Sequence, residues 1–497
     1  MDSISSGTLG LWKKSPALLL GLQLLLGIAF SFSLDYFFLL IAVVMTLPFW
    51  ALSKEKMYTQ TLLCLLTCLS GALYGHIIID KDHPLTSPEK GVALFSPSNI
   101  KQEASAFHAS FVYKGELTYF VSESMEGYAL PCRVKAPKGE RPKADSSFFL
   151  SGSLRKNGPQ SFEFITDGPW QKVKNTYSFA QMRYNAKKVF HNFVKKQISD
   201  KKASDFLYAL CTGEVEDRMM SYEFSKLGLQ HILAVSGFHF ALIALFAGSI
   251  LKWLFPEKTY LFLLIFLISC YFFFLGSSPS VFRAWIAITL WSLGKILEKK
   301  SSGLNTLGVC LLIELIINPR SIFHLGFQLS FLCTAALLLC SPVTLEWMKI
   351  LFPPRTKRVL VELSVVERVA YLFCCFFRGA LAVTLAVHIA SIPVCLYHFG
   401  TFPLLSLTYN IFFPWLTGIS MFGFMAASLF SFCLPFLANL LNSINTSFTS
   451  FLMELSAHPP SLLQYNISVS AIPASLVILY LMVLLFFFSA YASKKSS

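Results

Sequence analysis

Charge is what this chain has least of. Only 14% of its 497 residues are Asp, Glu, Lys or Arg, against about 25% in a soluble protein. So little charge cannot clothe a water-facing surface of this size, so much of the chain must face lipid. Other absences narrow the chemistry. No GxxxxGK[ST] occurs, which excludes a Walker-type ATPase, and no HExxH, which argues against a zinc intramembrane protease. There is no CxxC and no run of metal ligands, so no metal or cofactor is expected. The central polar segment holds only Cys132 and Cys211; one bridge between them is open, but two distant cysteines alone do not predict it.

What is abundant is apolar: 55% of residues are hydrophobic and Phe alone fills 49 positions. A bilayer crossing needs roughly 17–25 apolar residues, and about twelve runs approach that length. They are Pro16–Ser33, Tyr36–Leu52, Thr61–Ile79, Ile232–Leu251, Tyr260–Leu275, Val281–Leu297, Leu304–Ile317, Ile322–Leu339, Val369–Tyr397, Leu404–Leu434, Phe436–Leu455 and Pro473–Tyr491. The fold class expected is a polytopic α-helical membrane protein. Lys13 and Lys14 precede the first run as in a signal peptide, but the next run follows at once without a small-x-small site, so a retained anchor is expected.

If the spans alternate, the loops with Lys13/Lys14, Lys54/Lys56, Lys252/Lys258, Lys295/Lys299/Lys300, Lys349 to Arg368 and Lys494/Lys495 share one side. The short loops opposite hold a single basic residue, Arg320. The positive-inside rule then places both termini in the cytoplasm and everything from Asp80 to about Gln230 outside.

Between Ala104 and Trp170 the texture becomes short alternating runs broken by Gly, Pro and charge. Phe107–Tyr113, Leu117–Ser122, Tyr128–Lys135, Ser147–Leu154 and Phe162–Thr166 read as strands, with Lys114-Gly115 and Glu126-Gly127 among the turns. Five short strands in so few residues fit a small β-barrel of the oligonucleotide-binding (OB) type. Such barrels stack bases on aromatic side chains, and Phe111, Tyr113, Tyr119, Phe148 and Phe162 are available, most of them equally suited to filling a core. A helix follows: Phe179, Met182, Ala186, Val189, Phe190, Phe193 and Val194 recur at helical spacing, with Arg183, Lys187, Lys188, Lys195 and Lys196 between them. A basic amphipathic helix beside a span lies in the membrane interface and also attracts phosphates.

Polar groups inside apolar runs are costly and mark function or packing. His231, Ser236 and His239 fall within an arc of about 140° if one helix carries them. Gly276–Ser280 breaks the chain before a helix with Ser280 and Arg283, and Gln328 enters another run. An arginine three residues into a span needs a partner or water, and Glu314 is the candidate partner. Ser236 and His239, at i and i+3, can meet as a dyad, but no third group or oxyanion donor accompanies them.

His231–Phe240 (HILAVSGFHF) resembles the signature of the ComEC competence family, a His-Leu-Leu-Ala-x-Ser-Gly-Leu-His pattern. The resemblance extends over Leu210–Arg218 (LCTGEVEDR), Gly276–Ala284 (GSSPSVFRA), Asn318–Phe331 (NPRSIFHLGFQLSF) and Ala390–Phe399 (ASIPVCLYHF), in the family's order. It implies a channel that imports one DNA strand across the bacterial cytoplasmic membrane during transformation. The family-pattern polar residues are His231, Ser236, His239, Ser280, Arg283 and Gln328. Candidate DNA contacts are Arg183, Lys187, Lys188, Lys195, Lys196, Phe111 and Tyr119. The expected division is 1–79 N-terminal spans, 80–175 extracytoplasmic OB-like domain, 176–230 basic amphipathic helices and 231–492 channel core. Longer family members add a metallo-β-lactamase-like domain. No HxHxDH occurs here, so conduction without cleavage is expected. The partners implied are single-stranded DNA, membrane lipids, a periplasmic DNA receptor, a cytoplasmic motor and a separate nuclease. The alternatives are a multi-span transporter exporting a lipid or solute, and a receptor that only binds.

Overall fold

The computed structural model describes residues 9–51, 54–79, 88–104, 109–123, 126–137, 141–157, 162–300, 302–460, 465–470 and 472–494. The start of the first expected strand, at 107–108, lies outside the described residues.

Each of the twelve apolar runs contains helix. The N-terminal group is α1 (Pro16–Ser33), α2 (Phe37–Val44) with a 3-10 turn at Leu47–Ala51, and α3 (Lys54–Ile79). Helices α1 and α3 touch through small residues. A Cβ on Gly27 would lie 1.9 Å from the Cys68 carbonyl, and one on Gly71 2.6 Å from that of Leu24.

The polar segment folds into a six-stranded sheet: β1 (Glu89–Ala104), β2 (Ala109–Ser122), β3 (Glu126–Lys135), β4 (Phe148–Lys156), β5 (Phe162–Thr166) and β6 (Gln171–Lys172). The strand order is β1-β2-β3-β5-β4-β6, and β1 also pairs with β4, so the sheet nearly closes into a ring. All pairings are antiparallel except β3–β5. Inward residues alternate along each strand, and Phe95, Ile100, Tyr113, Leu117, Phe120, Val134, Leu154 and Phe164 are sealed from water.

Three expectations are corrected. Glu126-Gly127, read as a turn, opens β3, paired with Val121 and Phe120 of β2. Phe107–Tyr113 and Leu117–Ser122 are not separate strands: Lys114-Gly115 lies inside β2, opposite Asn99 and Pro97. There β1 bulges, and the backbones approach so closely that a Cβ on Gly115 would lie 2.1 Å from the Ser96 carbonyl oxygen. The glycine that reads as a turn makes room for a bulge. Strand β1 itself is absent from the sequence reading, because Gly91, Pro97 and Asn99 break its alternation.

Next come α4 (Ala180–Gln197), α5 (Lys201–Thr212), α6 (Arg218–Lys226) and α7 (Gln230–Leu233). Helix α5 is stopped sharply at both ends. Asp200 accepts a hydrogen bond from the Ala203 amide as N-cap, and Gly213 takes the left-handed C-cap conformation at φ 69°. Every residue from Ala203 to Thr212 is buried.

The remaining helices are α8 (Gly237–Leu254), α9 (Glu257–Leu275), α10 (Pro279–Ile296), α11 (Gly303–Ile317), α12 (Leu325–Leu339), α13 (Ser341–Leu351), α14 (Lys357–Glu362), α15 (Val365–Phe399), α16 (Leu405–Phe430), α17 (Pro435–Ala457) and α18 (Ala474–Lys494). A short ribbon pairs β7 (Thr401–Pro403) with β8 (Asn466–Ser468). Among the described residues six helices are long and apolar enough to cross a membrane, α1, α3, α8, α9, α15 and α16, and a seventh span results if α12 and α13, bent by 55°, count as one. Phe37–Phe49, Gly303–Ile317 and Ala474–Phe488 are apolar but shorter. Helices α10 and α17 have the length but carry Arg283 and Lys295, and Asn439, Asn442 and Asn445, respectively.

Five of these helices pack in a closed circuit: α8 on α10, α10 on α12, α12 on α15, α15 on α16, and α16 back on α8. Helix α5 is buried against α16 and α17 in a core that includes Leu207, Phe224, Phe413, Phe424 and Leu452.

Candidate functional site at the junction of barrel and helices

The carbonyls in the last turn of an α-helix lack intrahelical donors and carry partial negative charge. At the end of α9 two cations from α4 fill that need. Arg183 donates from Nε to the Phe273 carbonyl at 2.8 Å and from Nη1 to the Ser98 carbonyl of β1 at 2.7 Å. Its guanidinium also lies over the Phe273 ring, 5.0 Å from the centroid. Lys187 donates to the Leu275 carbonyl at 3.1 Å and to Glu214 Oε1 at 2.8 Å. One cation therefore ties the barrel to the helical core, and the other ties α4 to the acidic segment after α5. Burial pulls the Lys187 ammonium below the ordinary lysine range, and Glu214 opposes that shift. A third tie is Arg320, buried in the 3-10 turn Pro319–Phe323, which donates to the Ala129 carbonyl of β3 at 2.6 Å. The lone basic residue of the charge-poor loops thus holds the barrel.

The inward face of α4 differs from the apolar face read from periodicity. Ala180, Lys187 and Val194 are buried, whereas Met182 and Val189 are exposed. Among the candidate contacts, Lys188, Lys195 and Lys196 remain exposed, while Arg183 and Lys187 are engaged as described. Phe111 is half-buried, 6.2 Å from Tyr184 and under the Arg141 guanidinium. Tyr113, Phe148 and Phe162 fill the barrel core, where burial pushes the Tyr113 hydroxyl up to about 12. Tyr119 points outward. It pairs across strands with Tyr128, ring centroids 4.9 Å apart, and stands in register with Leu94, which is in turn opposite Phe149. The sequence reading missed Tyr128 and Phe149, because only strand register shows that they share a row. Cys132 and Cys211 are free thiols buried in separate cores.

Within the helical core His231, Ser236 and His239 do not share one helix, as the sequence arc supposed. Helix α7 ends at Leu233, and the chain is extended at Ser236 before α8 begins. Ser236 and His239 form a capping box, each side chain accepting from the other's backbone amide, with Ser236 Oγ 3.2 Å from His239 Nδ1. His231 stands exposed in the short helix α7. Ser280 donates to the Val235 carbonyl at 3.1 Å. The Arg283 guanidinium donates to Thr334 Oγ1 and presses on Gly237, where a Cβ would lie 2.6 Å from Nη2. Glu314 is buried on the neighbouring α11, with one carboxylate oxygen lacking a hydrogen-bond partner, and among the described residues no ion pair joins it to Arg283. Gln328 donates to the Ile322 carbonyl and lies 2.8 Å from His398 Nε2. His388 Nε2 is 3.5 Å from Ser406 Oγ.

These contacts fall at the joints of the five-helix circuit. Arg283 links α8, α10 and α12; Gln328 links α12 to α15; His388 links α15 to α16. Sequence reading named Arg283 and Gln328, but their partners Thr334 and His398, and the contact of His388 with Ser406, emerge only from the packing.

The profile of the Competence protein family matches residues 210–494, more than half of the chain. ComE operon protein 3 of Bacillus subtilis (strain 168) is 28% identical over 214 residues, covering 42% of this chain and 24% of that protein. This chain therefore aligns with about a quarter of the relative's length. No solved structure matches.

Proposed function

The chain belongs to the competence protein family, and from that premise we propose that it conducts single-stranded DNA across the cytoplasmic membrane during natural transformation. One observation carries the reading: the family-pattern residues Arg283 and Gln328 stand at the joints of a closed circuit of helices, beside a barrel bolted to the same core by Arg183 and Arg320. A phosphodiester chain cannot enter hydrocarbon and needs a path walled off from lipid. In this reading the ring of five packed helices walls off such a path, and polar groups otherwise too costly at that depth are tolerated along it.

In this reading the barrel is an OB-type receiver. Its β3–β5 parallel pairing and its closure through β1 and β4 support that assignment. The outward row Tyr128, Tyr119, Leu94 and Phe149 offers stacking surface worth about 1–3 kcal/mol per base. The row starts next to Ala129, where Arg320 anchors the barrel, so a strand stacked on it is led to the core. Exposed Lys188, Lys195 and Lys196 add attraction for phosphates. About twelve helices cross the inner membrane, some short or bent, with both termini cytoplasmic. The chain conducts without cutting. A periplasmic receptor delivers DNA, a cytoplasmic motor pulls it, and a separate nuclease degrades the other strand.

Uptake of labelled DNA into the cytoplasm should depend on this chain. Surface binding without entry would favour a receptor, and unchanged entry in its absence would exclude the channel. The orientation has its own test. Lys143 and Tyr177 are exposed on the barrel side, and Trp253 is 84% exposed where α8 ends. Cysteines at Lys143 and Tyr177 should react with an impermeant thiol reagent added to intact cells, and one at Trp253 only after lysis. The reverse pattern would invert the protein in the membrane.

A further inference from the structure

Two helices and the loop after the second converge on one imidazole. His191 of α4 has Asp205 of α5 at 3.6 Å from Nε2, and Glu216 of the acidic segment at 3.3 Å from Nδ1. Asp205 is only 8% exposed, and its Oδ1 and the facing His191 Nε2 are both shut away from water with no hydrogen-bond partner. At 3.6 Å they are within ion-pair distance but too far apart for a hydrogen bond. Buried polar atoms left facing each other in this way call for something between them. Two donors held about 2.1 Å from one tetrahedral ion lie roughly 3.4–3.6 Å apart, which is the separation seen. One ligand atom from each of His191, Asp205 and Glu216 can be chosen with all three within 4.8 Å of one another.

We propose that His191, Asp205 and Glu216 bind a divalent transition-metal ion, zinc fitting best. One imidazole nitrogen and two carboxylates, without thiolate, suit zinc or manganese and exclude copper(I). Two carboxylates balance the ion's charge, which lets it sit beside buried groups. Glu216, with its side chain 47% exposed, provides the entry path and leaves a position for water. The surroundings hold the imidazole in place. His191 stacks on Tyr208 with centroids 4.3 Å apart, Tyr208 donates to Glu214 Oε2 at 3.1 Å, and Glu214 holds Lys187. Such outer partners orient a ligating histidine. The ion would clamp α4, α5 and the acidic segment together beside the barrel. The ligands lie 14 and 11 residues apart in sequence, so no linear motif announces them.

The test uses the full chain in detergent, stripped with chelator and titrated with zinc chloride by calorimetry, alongside thermal unfolding. The native chain should take up about one zinc that Asp205→Asn and His191→Gln lose, and zinc should raise its unfolding temperature but not theirs. Glu216→Gln, at an exposed position that does not threaten the fold, should weaken binding at least tenfold. A native chain that takes up no zinc would overturn the site. So would zinc uptake unaltered in both Asp205→Asn and Glu216→Gln, which would assign the ion to cysteines elsewhere.

Discussion

Arg283→Glu is expected to lower DNA uptake at least about tenfold, ~1.4 kcal/mol in the transport barrier, at unchanged membrane abundance. Arg283→Gln should lose less, and Arg283→Lys should keep part of the native rate. The order follows from what the side chain does. Its guanidinium bridges three helices of the circuit through Thr334 and the surface of Gly237, yet the residue is only half-buried. In the proposed reading its charge remains available to a passing phosphate. Lysine keeps that charge but not the planar fork that spans two neighbours. Glutamine keeps neither, and glutamate repels phosphate. Uptake would be compared with abundance and protease resistance for all three variants. Native uptake in Arg283→Glu would remove this residue from the conduit. Equal loss in Lys and Gln variants would make it a joint between helices and nothing more.

The second large effect concerns stability. Lys187 is 2% exposed, and its pairing with Glu214 is shielded on both sides. Removing one member of a buried pair leaves the other charged and unpaired, which costs about 3–5 kcal/mol. Lys187→Met and Glu214→Gln should each make the chain markedly more sensitive to heat and protease. The double variant should recover half or more of the loss, because no orphan charge remains, although the Leu275 carbonyl still loses its donor. The measurement is thermal unfolding of the purified chain in detergent, read as a double-mutant cycle. Single variants as stable as the native chain would show that the pair contributes nothing net. A double variant worse than either single one would place the stabilisation in Lys187's bond to α9.

Local pattern carried a good deal of this architecture. Apolar runs located the helices, since a segment facing lipid on most sides must be apolar along its length, and α1 spans the very residues of its run. Alternation located β3, β4 and β5 for the same local reason: each strand has one face in the barrel core. The motif residues Arg283 and Gln328 stood out because polar groups are rare in such runs.

What the sequence did not reveal is whatever depends on a neighbour remote in the chain. A bulge hid β1, because Pro97 and Asn99 make sense only beside Gly115 of the next strand. Periodicity misjudged the buried face of α4, since Lys187 turns inward only because α9 ends there with unpaired carbonyls and Glu214 waits beside it. His231, Ser236 and His239 seemed to share a helix until the chain bent at Ser236, a bend that the capping box with His239 stabilises. Composition and periodicity report how each segment meets water or lipid, which is a property of the segment itself. Which cation meets which carbonyl, and which carboxylates flank His191, is set by how the helices dock, and only the tertiary structure decided that.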